Sequence, residues 1–387
     1  MPFSRKVYNS ADLPDDMWAS FRELRLGQMP NSHEQMPYDS PFFDPDFARL
    51  IGKVRGDVSI TVEEDQDGLL AYWPLHIGMG GWARAIGVPF SDRNGPVVRA
   101  GETVDIAQYL HDHNISGFRT SGLVLSDRIE VNPIETVYAN ISDLRHDWES
   151  FAAQQTQTHK KFFKKLGRLS RKLEKEHSEI VFTFDDKCPE MFKRLITMKR
   201  EQYARSKYHD VLRPSWVKQM LEQLRSGACP DLQTILSTLC IDGKLVAAEL
   251  NIQSGNLLHG WLVAFDPEFG KYSPGMLLTH KIMQAMPGHG LRYYDAGTGQ
   301  AHYKKYFTNT QTPIAQGPIY AQEKVINLVG ILGETWSYME DNTPYNMSKN
   351  LERVRRRTDQ ILGTEISTKQ RVLGFSKAAF PFMSKAS

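Results

Sequence analysis

Between Leu232 and Gly297 three apolar runs are separated by two tight turns and followed by a helix-periodic segment and one more strand. LQTILSTLCI turns at Asp242 and Gly243 into LVAAELNIQ, which turns at Ser254 and Gly255 into LLHGWLVAF. Short turns of this type join antiparallel neighbours, so the spacing predicts a meander. A loop containing Pro and Gly leads into the helical run GMLLTHKIMQAM, and the strand LRYYDAG follows. The order strand, strand, strand, helix, strand predicts an α/β (α+β) chain whose mixed, mostly antiparallel sheets are flanked by helices.

Upstream, DVSITVEEDQDGLLAYWPLHI reads as a hairpin through Asp65 and Gly68, with β-branched and aromatic residues on both arms. ETVDIAQYLHDHN has helical spacing, and GFRTSGLVL and ETVYANI read as strands, so a first domain is expected over residues 1–145. From Asp147 to His177 the pattern predicts one long helix. Its apolar stripe is Phe162, Leu166, Leu169 and Leu173, and Lys160, Lys161, Lys164, Lys165, Arg168, Arg171 and Lys172 crowd the other faces. Such a charge run ordinarily just solvates a helix; it also suits an anionic substrate or a membrane surface. This helix opens a second domain over 146–320, and 321–387 reads as a helical tail ending in FPFMSKAS.

With 387 residues, 41% hydrophobic and 24% charged, the chain can form two packed domains and an appendage. A formal net charge of +2 is too small for a dedicated binder of duplex nucleic acid. No apolar run approaches the ~20 residues that cross a bilayer, and the acids near the amino terminus are unlike a secretory signal. The expected location is the cytoplasm. Cys188, Cys229 and Cys240 are too far apart for a disulfide framework or a zinc pattern. HExxH, GxxxxGK[ST] and GxSxG are all missing from the sequence, so metal hydrolysis, NTPase and serine-hydrolase chemistries lose their usual anchors and no metal is expected.

The candidate chemistry lies between His259 and Phe307. Tyr272, Ser273, Pro274, Gly275, Met276 and Leu277 stand where a strand gives way to a helix. Backbone amides at a helix start point outward and, with the helix dipole, suit a pyrophosphate such as that of coenzyme A. Ser273 and Pro274 equally make an ordinary cap and first-turn pair. Behind the strand that ends in Asp295, Gly297 and Gly299, the segment from Ala301 to Phe307 opens a short helix. A tyrosine hydroxyl there can protonate a departing thiolate, with Tyr303 placed first and Tyr306 second. The attacking amine must be neutral, so a carboxylate or imidazole should face it. Glu249 in an otherwise apolar strand, His259, Asp266 and Asp295 are the candidates, each also readable as a core or turn residue.

These residues resemble the GNAT acetyltransferases of exopolysaccharide synthesis, the CelD-like and holdfast-polysaccharide N-acetyltransferases. The resemblance rests on Tyr272-Ser273-Pro274-Gly275, on Asp295 with Gly297 and Gly299, and on Tyr303-Lys304. Ser40-Pro41-Phe42-Phe43, Tyr72-Trp73-Pro74-Leu75 and Ser91-Asp92-Arg93-Asn94-Gly95-Pro96 extend it into the first half. It implies two tandem GNAT-like domains, the first degenerate and shaping the acceptor cleft. The second would hold acetyl-coenzyme A as co-substrate through the Tyr272 to Leu277 loop and Lys304. The acceptor would be an amino sugar on a nucleotide- or lipid-linked saccharide or a polymer. The layout is also similar to the Fem-type aminoacyltransferases, which implies aminoacyl-tRNA as an alternative donor.

The tail adds a separate reading. Arg353, Arg355, Arg356 and Arg357 precede Asp359, and Arg356 with Asp359 makes an RxxD spacing like that of cyclic di-GMP sites, although a basic helix face accounts for the same residues. On that reading the protein is a non-catalytic effector of polysaccharide synthesis. RVLGFSKAAFPFMSK mixes aromatics with Lys and Arg and suits contact with the inner face of a membrane or with a polysaccharide-assembly machine.

Overall fold

The computed structural model describes residues 3–27, 38–133, 135–206, 208–229, 231–299, 302–321, 335, 339, 342–343, 345–366 and 371. Its strands are β1 Ser4–Asn9, β2 Ser59–Asp65, β3 Gly68–Ile77, β4 Trp82–Ala85, β5 Val97–Val98, β6 Val104–Asp105, β7 Gly117–Val124 and β8 Ile129–Glu130. They continue with β9 Glu135–Asp143, β10 Ile180–Thr183, β11 Gln233–Ile241, β12 Lys244–Ser254, β13 Leu257–Phe265, β14 Tyr293–Asp295 and β15 Thr310–Tyr320. The helices are α1 Asp15–Gly27, α2 Pro45–Arg55, α3 Ile106–Asp112, α4 Trp148–Thr158, α5 Lys160–Glu176, α6 Pro189–Ser206, α7 Ser215–Arg225, α8 Pro274–Ala285 and α9 Tyr345–Thr364.

Both halves share one sheet of thirteen strands, in the order β1-β2-β3-β4-β7-β15-β9-β14-β13-β12-β11-β10, with β5 on β3. The expected boundary at residue 145 does not break this sheet. β9 from the first half pairs antiparallel with β14 of the second, and β15 lies between β7 and β9. The β2–β3 hairpin and the β11–β12–β13 meander form as the sequence predicts.

Local chemistry explains the helix starts. Asp44 accepts from the amide of Asp46 to cap α2, and Asp105 from that of Gln108 to cap α3. Pro274 occupies the first turn of α8, where its missing N–H costs nothing. The single helix expected over Asp147 to His177 is two helices, broken at His159 with φ −120° and ψ 40°. The break turns α5 so that Phe162 stacks on Tyr306 with ring centroids 3.8 Å apart, while His159 packs edge-on to the same ring. Aromatic packing across the fold thus interrupts a locally helical pattern. Leu166, Leu169 and Leu173 of the predicted stripe are buried. Among the described residues no helix is long and apolar enough to cross a membrane.

Candidate active site

β13 and β14 run parallel and pair only over Leu257–His259 and Tyr293–Asp295. β14 then ends while β13 continues to Phe265, so among the described residues Gly260 to Phe265 have a strand partner on one edge only, β12. The register on β12 shifts between Leu250, opposite Leu262, and Asn251, opposite Gly260, which leaves Trp261 as an extra, bulged residue. A bulge beside two diverging strands exposes backbone polar groups that an extended amide-bearing ligand can pair with.

Glu249 lies beneath this opening. Its side chain is 2% exposed and accepts from the Tyr294 hydroxyl at 2.6 Å and, weakly, from Thr279 Oγ1 at 3.5 Å. Gly260 makes the approach possible, because a Cβ there would strike the Tyr294 hydroxyl and lie 3.0 Å from Glu249 Oε1. Burial raises the Glu249 carboxyl above its ordinary pKa, and the hydrogen bonds from Tyr294 and Thr279 and the charges of His259 and Lys199 only partly oppose it. Burial, with the nearby Glu249 charge, holds the Tyr294 hydroxyl well above its ordinary value, so it stays a donor. Tyr303 is raised by burial and then by the same Glu249 charge, which places it within electrostatic reach of the carboxylate; the residue is 36% exposed.

The other predicted residues divide. His259 and Asp295 are register partners on β13 and β14 and are both buried. His259 Nδ1 lies 3.3 Å from Asp295 Oδ2, an ion-pair distance without the alignment of a hydrogen bond, and its Nε2 lies 3.7 Å from Asp92 Oδ1. Arg93, 3% exposed, donates to both oxygens of Asp295 at 2.9 and 3.0 Å, and the Gly297 amide donates to Oδ1 at 2.7 Å. Burial opposes the charge on both partners. Asp92 and Asp295 outweigh it to raise His259, while Arg93 and His259 outweigh it to hold Asp295 well below the carboxylate range. Ligand atoms of Asp92, His259 and Asp295 lie within 4.8 Å of one another, a spacing a cation can use; the Arg93 guanidinium supplies the positive charge there.

Asp266 is a turn residue. It caps the loop after β13 through the Glu268 amide at 3.0 Å and pairs with Lys244 at 2.8 Å. Tyr272 is a core residue 1% exposed, and its hydroxyl donates to Glu176 and lies 3.2 Å from His177 Nε2. Ser273 adopts the left-handed conformation at φ 55°. The amides of Ser273, Met276 and Leu277 already donate to Gly270 O, Ser273 O and Ser273 O, and Pro274 has no N–H, so the helix-start reading narrows to Gly275. Lys304 is 8% exposed and donates to Thr298 O; burial lowers its pKa against the pull of Asp92 and Asp295.

Sequence reasoning did not place Asp92, Arg93, Lys199, Thr279 or Tyr294 in the site. The Ser91 to Pro96 segment carried a signal, an acid, a base and a glycine in a loop. It is held by Asn94, whose amide donates to Gly122 O at 2.9 Å and whose side chain accepts from Thr120 at 2.9 Å. In the tail, Asp359 faces Arg119 at 3.3 Å and Arg84 at 4.0 Å; the side chains of Arg353 and Arg356 and the terminal segment 372–387 lie outside the described residues.

Residues 160–305 match the family model described as an acetyltransferase (GNAT) domain. The match supports an N-acyltransferase. Among solved structures, a FemX structure is similar over 82% of this chain and 98% of its own, at 9% identity and a TM-score of 0.48. A tandem GNAT protein from the clavulanic acid biosynthesis pathway is similar over 83% and 99%, at 9% identity and 0.44. The C-terminal domain of a protein assigned as a lysylphosphatidylglycerol synthetase of Agrobacterium fabrum is similar over 82% and 96%, at 13% identity and 0.45. No curated protein matches the sequence.

Proposed function

We propose that the protein transfers the acetyl group of acetyl-coenzyme A to the amine of an amino sugar in an exopolysaccharide or its nucleotide- or lipid-linked precursor. The observation that carries the reading is Glu249, a buried carboxylate of raised pKa under the opening between β13 and β14, with Tyr303 within its electrostatic reach. The donor's pantetheine arm lies along the unpaired edge of β13. The amine nitrogen attacks the thioester carbonyl carbon, and its proton passes through water to Glu249. The C–S bond then breaks, and the thiolate sulfur takes the Tyr303 proton.

A recess of about 310 Å³ on the α6 side of β13 supports a saccharide acceptor. Phe90, Tyr203, Tyr208 and Trp261 line it, and Lys199 donates to Val263 O at 3.0 Å at its edge. Aromatic faces of this kind suit the apolar face of a sugar ring. Pro89 and Phe90 come from the first half of the chain, and Phe90 O accepts from the Trp261 indole at 2.8 Å. Incubation with acetyl-coenzyme A and a glucosamine oligosaccharide should release free thiol in step with N-acetylation. Absence of acetyl-coenzyme A binding at millimolar concentration, or thiol release indifferent to the amino sugar, would sink the reading.

A further inference from the structure

A groove of about 720 Å³ runs between α5 and α8. Leu277, His280, Lys281 and Gln284, spaced three and four apart along one side of α8, form one wall, and Lys160, Phe163, Lys164 and Gly167 of α5 contribute the other. Three lysines, Lys160, Lys164 and Lys281, line this concavity, and no acidic residue does. No ion pair involves Lys160, Lys161, Lys164, Lys165, Arg168 or Arg171 among the described residues. Like charges gathered without a counter-charge repel one another, so the arrangement is relieved by an anionic occupant. The floor is apolar, from Phe163, Leu166 and Leu277, and burial together with Lys281 lowers His280, which keeps its ring neutral for stacking.

The groove begins at Leu277, in the first turn of α8 and two residues beyond the Gly275 amide. A ligand whose diphosphate reaches that amide would extend its far end between the two helices. Gly167 keeps the passage open. Mid-helix glycine costs about 1 kcal/mol against alanine, yet a Cβ at this position would meet only the Arg171 side chain at 3.6 Å, so packing does not demand glycine.

We infer that this groove seats the 3′-phosphoadenosine end of the acyl donor, with Lys160, Lys164 and Lys281 gripping the phosphate monoester and the aromatic floor facing the adenine. The inference rests on coenzyme A being the donor. A groove of about 720 Å³ between two helices has the size of a nucleotide. Calorimetry on the full chain would compare coenzyme A with its 3′-dephospho form. Wild type should bind coenzyme A about tenfold more tightly, the size of a charge-assisted contact. Changing Lys160, Lys164 and Lys281 together to Gln should bring coenzyme A down to the dephospho value and leave the dephospho form unchanged. Gly167→Leu should weaken coenzyme A while melting at or above the wild-type temperature.

Equal wild-type affinity for the two forms overturns the inference and leaves the donor assignment standing; failure to bind either form removes both. A triple variant that weakens both forms equally also overturns it, and if that variant does not fold, the wild-type comparison decides alone. Retention on phosphatidylglycerol vesicles that coenzyme A does not displace would reassign the groove to a membrane surface and overturn the inference too.

Discussion

Glu249 combines two properties that usually exclude each other, complete burial and a carboxylate with few donors around it. Its raised pKa means the folded state binds a proton more tightly than the unfolded chain does, so this residue lowers stability as pH rises from the ordinary glutamate value through the folded one. Glu249→Gln keeps an acceptor for Tyr294 and removes the buried charge. It should lower kcat by about a hundredfold or more, the scale of general-base catalysis, while melting at or above the wild-type temperature at pH 8; a variant that turns over normally would dismiss Glu249 as the base. In wild type, kcat/KM should climb with pH through the raised Glu249 value, and that limb should vanish in the variant. Tyr303, partly exposed and with no hydrogen-bond partner for its hydroxyl among the described residues, is the matching acid. Tyr303→Phe should reduce kcat by about ten- to a hundredfold with the KM for acetyl-coenzyme A nearly unchanged, as steady-state kinetics would reveal.

At the scale of elements, the opening depends on β13 keeping its bulge at Trp261 and on a residue without a side chain at Gly260. Gly260→Ala drives a methyl group against the Tyr294 hydroxyl and to 3.0 Å from Glu249 Oε1. The expected cost is about 1–3 kcal/mol of stability, read by denaturant unfolding, together with loss of the base's hydrogen bond and of turnover. An unchanged unfolding midpoint would show that β13 can shift to absorb the methyl. The helix break at His159 belongs to the same scale. Nothing in QTHKKFF marks an end, and the break is decided by Phe162 stacking on Tyr306.

Across the whole molecule, Arg93 joins the two halves through Asp295, and His259 sits between Asp295 and Asp92. Arg93→Ala strips a buried carboxylate of its two-pronged guanidinium partner, leaving it to His259 and the Gly297 amide, and should cost about 3 kcal/mol in denaturant unfolding. His259 is raised in the folded state, so its stabilising effect is fully present below the ordinary histidine value of about 6.5 and is lost as pH rises through the folded value. Asp295 is depressed, so its effect is present above the ordinary carboxylate value and is lost as pH falls through the folded one. Asp92, Arg93, Glu249 and Lys304 are the other charges acting on this pair. Thermal stability should therefore decline toward acid pH as Asp295 takes up a proton and toward alkaline pH as His259 and Glu249 lose theirs, and His259→Gln should weaken the alkaline decline. A wild-type melting profile with no alkaline decline would contradict the charged-histidine account.

The sequence by itself determined the meander, α8, the strand that ends at Asp295 and the oddity of Glu249 among apolar neighbours, because those signals are local: turn residues, periodicity and one misplaced charge. Tertiary structure alone decided the partners. β15 was not legible as a strand, since Pro313, Gly317 and Pro318 break its pattern, yet it lies between β7 and β9 because both neighbours supply pairing that local propensity does not. Arg93 and Asp295 stand about two hundred residues apart in the chain and bond only because one sheet spans both halves. The Tyr272 loop was legible as a helix start, but which amides stay free depended on the left-handed turn at Ser273 and left Gly275. Long-range pairing energy is shared among residues that carry no mark of one another in sequence, so the chemistry of the site was readable in its residue types and its geometry was not.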